Sequence, residues 1–280
     1  MKIIANKKFE EERALYALRD ARVVNCAFEG EADGESALKE AENFVAENCR
    51  FVLRYPFWHC TDFRMERCNM ADTARAAMWY CRRGVIEGLT TDGIKGLREC
   101  EDIALKNLIA VSPEFGWKCR GLDFENCRVT GDYFLLDSSD IKISELELNG
   151  KYSFQYTENV TLENCDLHTK DAFWHAKNVT VKNCRVLGEY LAWYSENVTF
   201  INCEIAGTQP LCYCKELKLI NCTMTDCDLS FEYSDVEAEI RGGITSVKNP
   251  RSGKIAADFI GEIVKEASVM ETSCVIEVKG

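Results

Sequence analysis

The chain has 280 residues, 46% hydrophobic and 29% charged, with only four prolines, which is a globular composition able to fill one elongated core or two compact ones. Its net charge of -12 repels phosphate backbones and argues against a nucleic-acid partner, and no window approaches the roughly eighteen uninterrupted apolar residues of a membrane span. The N-terminus MKIIANKKFEEERAL lacks the basic, apolar, small-residue order of an export signal, so a cytoplasmic chain with no membrane partner is expected.

In chain order, residues 1–20 read as an N-terminal cap or a degenerate first turn, since KFEEERALYAL fits a helical or a strand period. From there a single phrase recurs: VVNCAF, VAENCRF, DFENCRV, VTLENCDL, VTVKNCRV, VTFINCEI and LKLINCTM. Each is a short apolar alternation broken by Asn and a small residue, which is a strand meeting a corner. Cys165, Cys184, Cys203 and Cys222 are each 19 residues apart, and the column runs back through Leu146, Cys127, Leu108 and Leu89. Cys49 and Cys68 keep the same spacing before a step of 21. A second column holds Cys60, Cys81, Cys100, Cys119, Ser138, Thr157, Ala176, Ser195 and Cys214. Residues 266–280 close the series with a strand expected over Ser273 to Val278, because an unpaired sheet edge invites association.

Counting Cys26 in the first column, thirteen of the sixteen cysteines thus occupy two slots per turn, exchanged with Ser, Thr, Ala and Leu. A metal or redox column would not tolerate that exchange, and no CxxC pair occurs, so the cysteines read as small interior residues. Asn25, Asn48, Asn107, Asn126, Asn164, Asn183, Asn202 and Asn221 precede the first slot, where Asn suits a left-handed corner and its amides can bond from turn to turn. The NVT strings at Asn159, Asn178 and Asn197 read as corner-then-strand rather than as glycosylation acceptors.

The expected fold is all-β: one domain over 1–280, a single-stranded right-handed parallel β-helix with about 19 residues per rung and about eleven rungs, or about 50 Å of stacked strands. The six-residue unit of a left-handed β-helix, the leucine ladder of leucine-rich repeats and the five-residue period of pentapeptide repeats are all missing.

The phrases LRYPFWHC, GIKGLREC, KYSFQY, TKDAFWHA, GEYLAWYSENVT, GTQPLCYC, FEYS and SVKNP resemble, nearly end to end, the family filed as domain of unknown function 3737. The resemblance implies a pectin-lyase-like solenoid and brings no catalytic residues with it.

Between the two slots a third strand is expected, its outward face read by strict alternation. That reading places Tyr133, Leu135, Asp137; Tyr152, Phe154, Tyr156; Asp171, Phe173, His175; Tyr190, Ala192, Tyr194; and Tyr213 outside, with Trp58, Trp79, Trp117, Trp174 and Trp193 inside. Arg98 and Gln155 fit that interior badly. An aromatic wall of this kind binds or processes an oligosaccharide, buries a homo-oligomer or partner contact as a scaffold, or packs its rings on one another. For catalysis the candidates are Asp137, Tyr156 and His175, a carboxylate, a phenol and an imidazole on successive turns. Substrate-binding candidates are Tyr133, Tyr152, Phe154, Asp171, Phe173, Tyr190, Tyr194 and Tyr213. Glu99 and Asp137 flank Lys118, for which a salt-bridge ladder is the favoured reading, and His168, which could approach Asp171, is read first as an ordinary surface-turn histidine. No metal and no cofactor is expected.

Overall fold

The computed structural model describes residues 1–31 and 34–279 and divides into two compact units, Met1–Lys142 and Ile143–Gly280. Each winds as right-handed parallel β-helix, and the described residues contain no helix, long and apolar or otherwise. The whole chain makes about 14 turns, more than the eleven expected, because residues before 21 and after 265 also wind. Lys8–Phe9 is a short strand paired with Ala27–Phe28, so the N-terminal stretch is a degenerate turn.

In the first unit the long side stacks Lys2–Ala5, Arg19–Val24, Glu42–Glu47, Thr61–Glu66, Arg82–Glu87, Glu101–Lys106 and Arg120–Thr130. The register Arg82↔Glu101 is the 19-residue step, and Thr61↔Arg82 is the step of 21. In the second unit Glu158–Glu163, Lys177–Lys182, Glu196–Ile201 and Leu217–Thr225 continue the pattern. Toward the C-terminus the register tightens, Asp235 pairing Ser252, and Val275–Val278 lies along Lys254–Ala257.

The corners obey the sequence. Asn183, Asn202 and Asn221 all have φ between 53° and 56°, a left-handed conformation that Asn adopts at little cost. Asn202 Nδ2 donates to Asn183 Oδ1 at 3.1 Å and Asn221 Nδ2 to Asn202 Oδ1 at 2.7 Å. A second amide row joins Asn197 to Asn178 and Asn178 to Asn159 at 2.9 and 3.1 Å.

Fifteen of the cysteines are buried and all are free thiols. They do more than fill space. At three second-slot positions the side chain donates back to the carbonyl 22 residues earlier: Cys60 to Leu38 at 3.0 Å, Ser138 to Gly116 at 2.6 Å and Cys214 to Ala192 at 3.1 Å. A small side chain is what the slot selects, and where it is Ser or Cys it can also donate, which is why those two interchange there. Burial pushes the Cys227 thiol up to about 12, leaving it protonated and unreactive.

Candidate functional site

The third side forms the expected strand only as a short parallel sheet of the first unit, Phe57–Trp58, Met78–Trp79 and Leu97–Arg98, and the strict alternation expected there fails. In the second unit it is a run of turns in which every other residue is left-handed: Tyr152, Phe154 and Tyr156 at φ 60°, 61° and 57°, then Asp171, Phe173 and His175 at 53°, 60° and 56°. A backbone that switches hand at alternate residues does not throw its side chains to alternate faces, so period-two reading breaks down there. Phe154 and Phe173, expected outside, are fully buried and stack on each other at 4.6 Å and 7°. Leu135 and Ala192 are likewise interior. The tryptophans, expected inside, lie half-exposed on the surface.

What the second unit displays is two ring columns. Trp174 and Trp193 stack at 5.4 Å and 3°, each indole N–H donating to a backbone carbonyl of the next turn, Tyr190 and Gln209 respectively, at 2.7 Å. Gln155 occupies the same column and makes the same bond, to the Asp171 carbonyl at 3.0 Å, which accounts for a polar residue there. Beside them Tyr156, His175, Tyr194 and Tyr213 stack in order, with centroids 5.0, 5.2 and 4.7 Å apart and planes within 11°. Tyr156 is 55% and Tyr194 47% exposed. Tyr190 closes edge-on against Trp193 at 5.4 Å, with Lys170 Nζ 5.0 Å from its ring, and Lys170 pairs Glu189 at 2.8 Å.

Tyr156, His175, Tyr194 and Tyr213 are therefore brought together, with Tyr152 and Tyr190 half-exposed on the same side of the turn. Asp137 and Tyr133 belong to the first unit, both exposed, Tyr133 edge-on to Trp117 at 6.1 Å. Asp171 is 6% exposed, and desolvation raises its carboxyl above the usual range, partly offset by Lys170 and reinforced by Glu189. His168 pairs with Asp166 at 3.2 Å rather than with Asp171. Lys118 makes no ion pair among the described residues, so the expected Glu99–Lys118–Asp137 ladder does not form. Tyr213 donates to Glu232 at 3.4 Å, and desolvation with that neighbouring carboxylate pushes its phenol up to about 12.

In the first unit the corresponding column reads Lys39, Trp58, Trp79, Arg98, Trp117. Lys39 Nζ sits 4.2 Å from the Trp58 ring, Trp58 and Trp79 stack at 5.9 Å, and the Arg98 guanidinium lies 5.5 Å from Trp79 and 5.1 Å from Trp117. Arg98 thus takes a ring's place in the stack, a cation between two indoles. His59 sits apart, paired with Glu40 at 3.2 Å and edge-on to Tyr80.

Sequence reasoning also missed a groove of about 650 Å³ in the second unit, along the Asn corner, lined by Asn183, Asn202, Arg185, Glu204 and Arg241 among others. Its asparagine amides are already engaged with one another. No group of three or more His, Cys, Asp or Glu that could hold a metal occurs among the described residues.

Among solved structures the chain is similar to the mannuronan C-5 epimerase AlgE4 A-module of Azotobacter vinelandii, at 9% identity and TM-score 0.31 over 93% of this chain and 89% of that one. It is also similar to PfbA, a surface adhesin of Streptococcus pneumoniae, at 5% identity and TM-score 0.41, over 87% and 83%. The catalytic domain of a GH87 α-1,3-glucanase is matched at 8% identity and TM-score 0.38, over 100% and 64%. Likenesses this distant carry no functional argument. No curated protein matches the chain. The family model described as protein of unknown function (DUF3737) matches residues 2–277, and the chain belongs to that family.

Proposed function

We propose that the second unit binds an extended glycan along its aromatic wall and holds it without cleaving it. The observation that carries this reading is the column Tyr156, His175, Tyr194, Tyr213, whose rings repeat at 4.7–5.2 Å. Because the rings cover one another's faces, they present edges, phenol hydroxyls and an imidazole to solvent, one polar group per turn. An extended pyranose chain advances by a similar distance per sugar, so a glycan lying along the column meets one hydrogen-bonding side chain at each residue. The stacking fixes these groups before the ligand arrives, which lowers the ordering cost of binding. Acid–base cleavage would call for a carboxylate beside His175 at an open gap, and Asp171 in this unit is buried.

The test uses the full chain against a panel of neutral and acidic oligosaccharides by calorimetry, with product analysis after long incubation. For the glycan that binds, Tyr156→Phe and Tyr194→Phe, which remove only a hydroxyl, should each weaken affinity by about threefold to tenfold and leave the glycan intact. Unchanged affinity in the double variant would overturn the reading, and glycan breakdown would overturn its non-catalytic part.

A further inference from the structure

A pocket of about 330 Å³ in the first unit, remote in sequence from the tyrosine column, is lined by Tyr55, Arg75, Trp79, Lys95 and Arg98 over a floor of Ala76 and Ile94. Three cations and no carboxylate line it, in a chain whose net charge is -12.

The state of those cations is informative. Arg98 is 21% exposed at its side chain, sandwiched between Trp79 and Trp117, and its Nε is buried with no hydrogen-bond partner. Its nearest carboxylates, Glu99 and Glu114, lie 3.8 and 4.0 Å away, beyond hydrogen-bond range. Lys95 approaches Glu114 only to 3.6 Å. Arg75 makes no ion pair among the described residues, and its guanidinium lies 6.0 Å from the Tyr55 ring. Two carboxylates therefore stand behind three cations, and none of the three side chains makes a hydrogen bond to a protein acceptor among the described residues. A partly buried guanidinium whose N–H groups find no protein acceptor gains from an oxyanion presented to its terminal nitrogens, the Nε itself being enclosed.

We infer that this pocket is a binding site for a small oxyanion carried on a ring, a phosphate monoester or carboxylate of about sugar size. The oxyanion meets Arg75, Lys95 and the edge of Arg98, and the ring body rests against Tyr55 and Trp79. Arginine's planar fork suits either oxyanion, while the two aromatic walls and the apolar floor provide for the part of the ligand that inorganic phosphate lacks.

The experiment titrates the full chain with glucose 6-phosphate, glucuronate, inorganic phosphate and glucose by calorimetry, while side-chain NMR follows the Arg98 Nε–H and Trp79 Nε1–H resonances. Glucose 6-phosphate or glucuronate should bind saturably and shift the Arg98 signal, and the tighter of the two identifies the oxyanion. Arg75→Gln, at an exposed position that leaves the fold intact, should weaken that binding about tenfold or more, and raised salt should weaken it further. Arg98→Lys, which keeps the charge and loses the planar fork, should weaken it by a similar factor, with thermal melting used to confirm folding. Glucose binding as tightly as the charged sugars, phosphate binding as tightly as glucose 6-phosphate, no saturable binding at millimolar concentration, or unchanged affinity in Arg75→Gln would each overturn the assignment.

Discussion

Replacing Phe173 by Ala tests the orientation of the third side more sharply than any other change. Phe173 is fully buried and its ring lies 4.6 Å from that of Phe154, at 7°. Truncating a fully buried Phe costs about 3–5 kcal/mol from lost transfer energy and the cavity left behind. The stacked pair should add a coupling of about 0.5–1.5 kcal/mol in a double-mutant cycle with Phe154→Ala. His175, only two residues on, lies on the exposed face, and His175→Ala should cost less than about 1 kcal/mol, the loss of partial stacking on Tyr156 and Tyr194. The assay is urea unfolding followed by far-ultraviolet circular dichroism. The denaturant slope should be compared across variants, because in a solenoid a weak turn can uncouple its neighbours and reduce the slope. A strict strand would place Phe173 and His175 on the same face and make their costs alike. A Phe173→Ala cost below about 1 kcal/mol at unchanged slope would refute the interior placement.

The amide rows give a graded pair of variants. Asn202→Gly keeps the left-handed corner at φ 53° and loses two side-chain hydrogen bonds, whereas Asn202→Ala loses the bonds and also incurs a backbone penalty of about 1–2 kcal/mol, so the Ala variant should melt lower. Equal melting temperatures would show that the corner conformation contributes nothing. Asp171 sets a pH dependence. Its folded-state pKa is raised above 3.8 by desolvation, so the stability tied to its protonated form is full below 3.8 and is lost as pH rises through the raised value. Asp171→Asn removes that loss, and the difference in Tm between variant and wild type should grow in the variant's favour from pH 3.8 upward and then level off. A difference constant across that range would contradict the buried placement.

The solenoid was legible in the sequence because its slots are chemically narrow. An interior position filled by Cys or Leu, most often beneath a left-handed Asn, leaves a recurring signature from turn to turn, as at Asn183-Cys184 and Asn202-Cys203. The back-donation from Cys60, Ser138 and Cys214 was not legible, since a thiol filling space and a thiol filling space while donating look alike in a sequence. The third side misled for a definite reason. Period-two reading assumes extended backbone throughout, and non-glycine residues such as Phe154 and Phe173 at positive φ give no warning of departure from it. The ring column Tyr156 to Tyr213 was still found, because its members share the last position before the second slot, whose register comes from the cysteines. Arg98 was the local clue: a cation in a column assigned to the interior marked the column as facing solvent, whereas Gln155 is buried and satisfied by the Asp171 carbonyl.

The amide rows also have a direction. In every pair from Asn25 to Asn221 that bonds in this way, the amide nitrogen of the later turn donates to the amide oxygen of the earlier one. The dipoles of the side chains in a row are therefore parallel, and they add along the stack as peptide dipoles add along a helix. Neighbouring bonds polarise one another, so a row is strongest in its middle and ends in an unused donor on one side and an unused acceptor on the other. A substitution at Asn202, the middle of the row Asn183–Asn202–Asn221, removes both of its links, while the same change at Asn221 removes only one. The cost of losing an asparagine is thus set by its place in the row as well as by its own contacts.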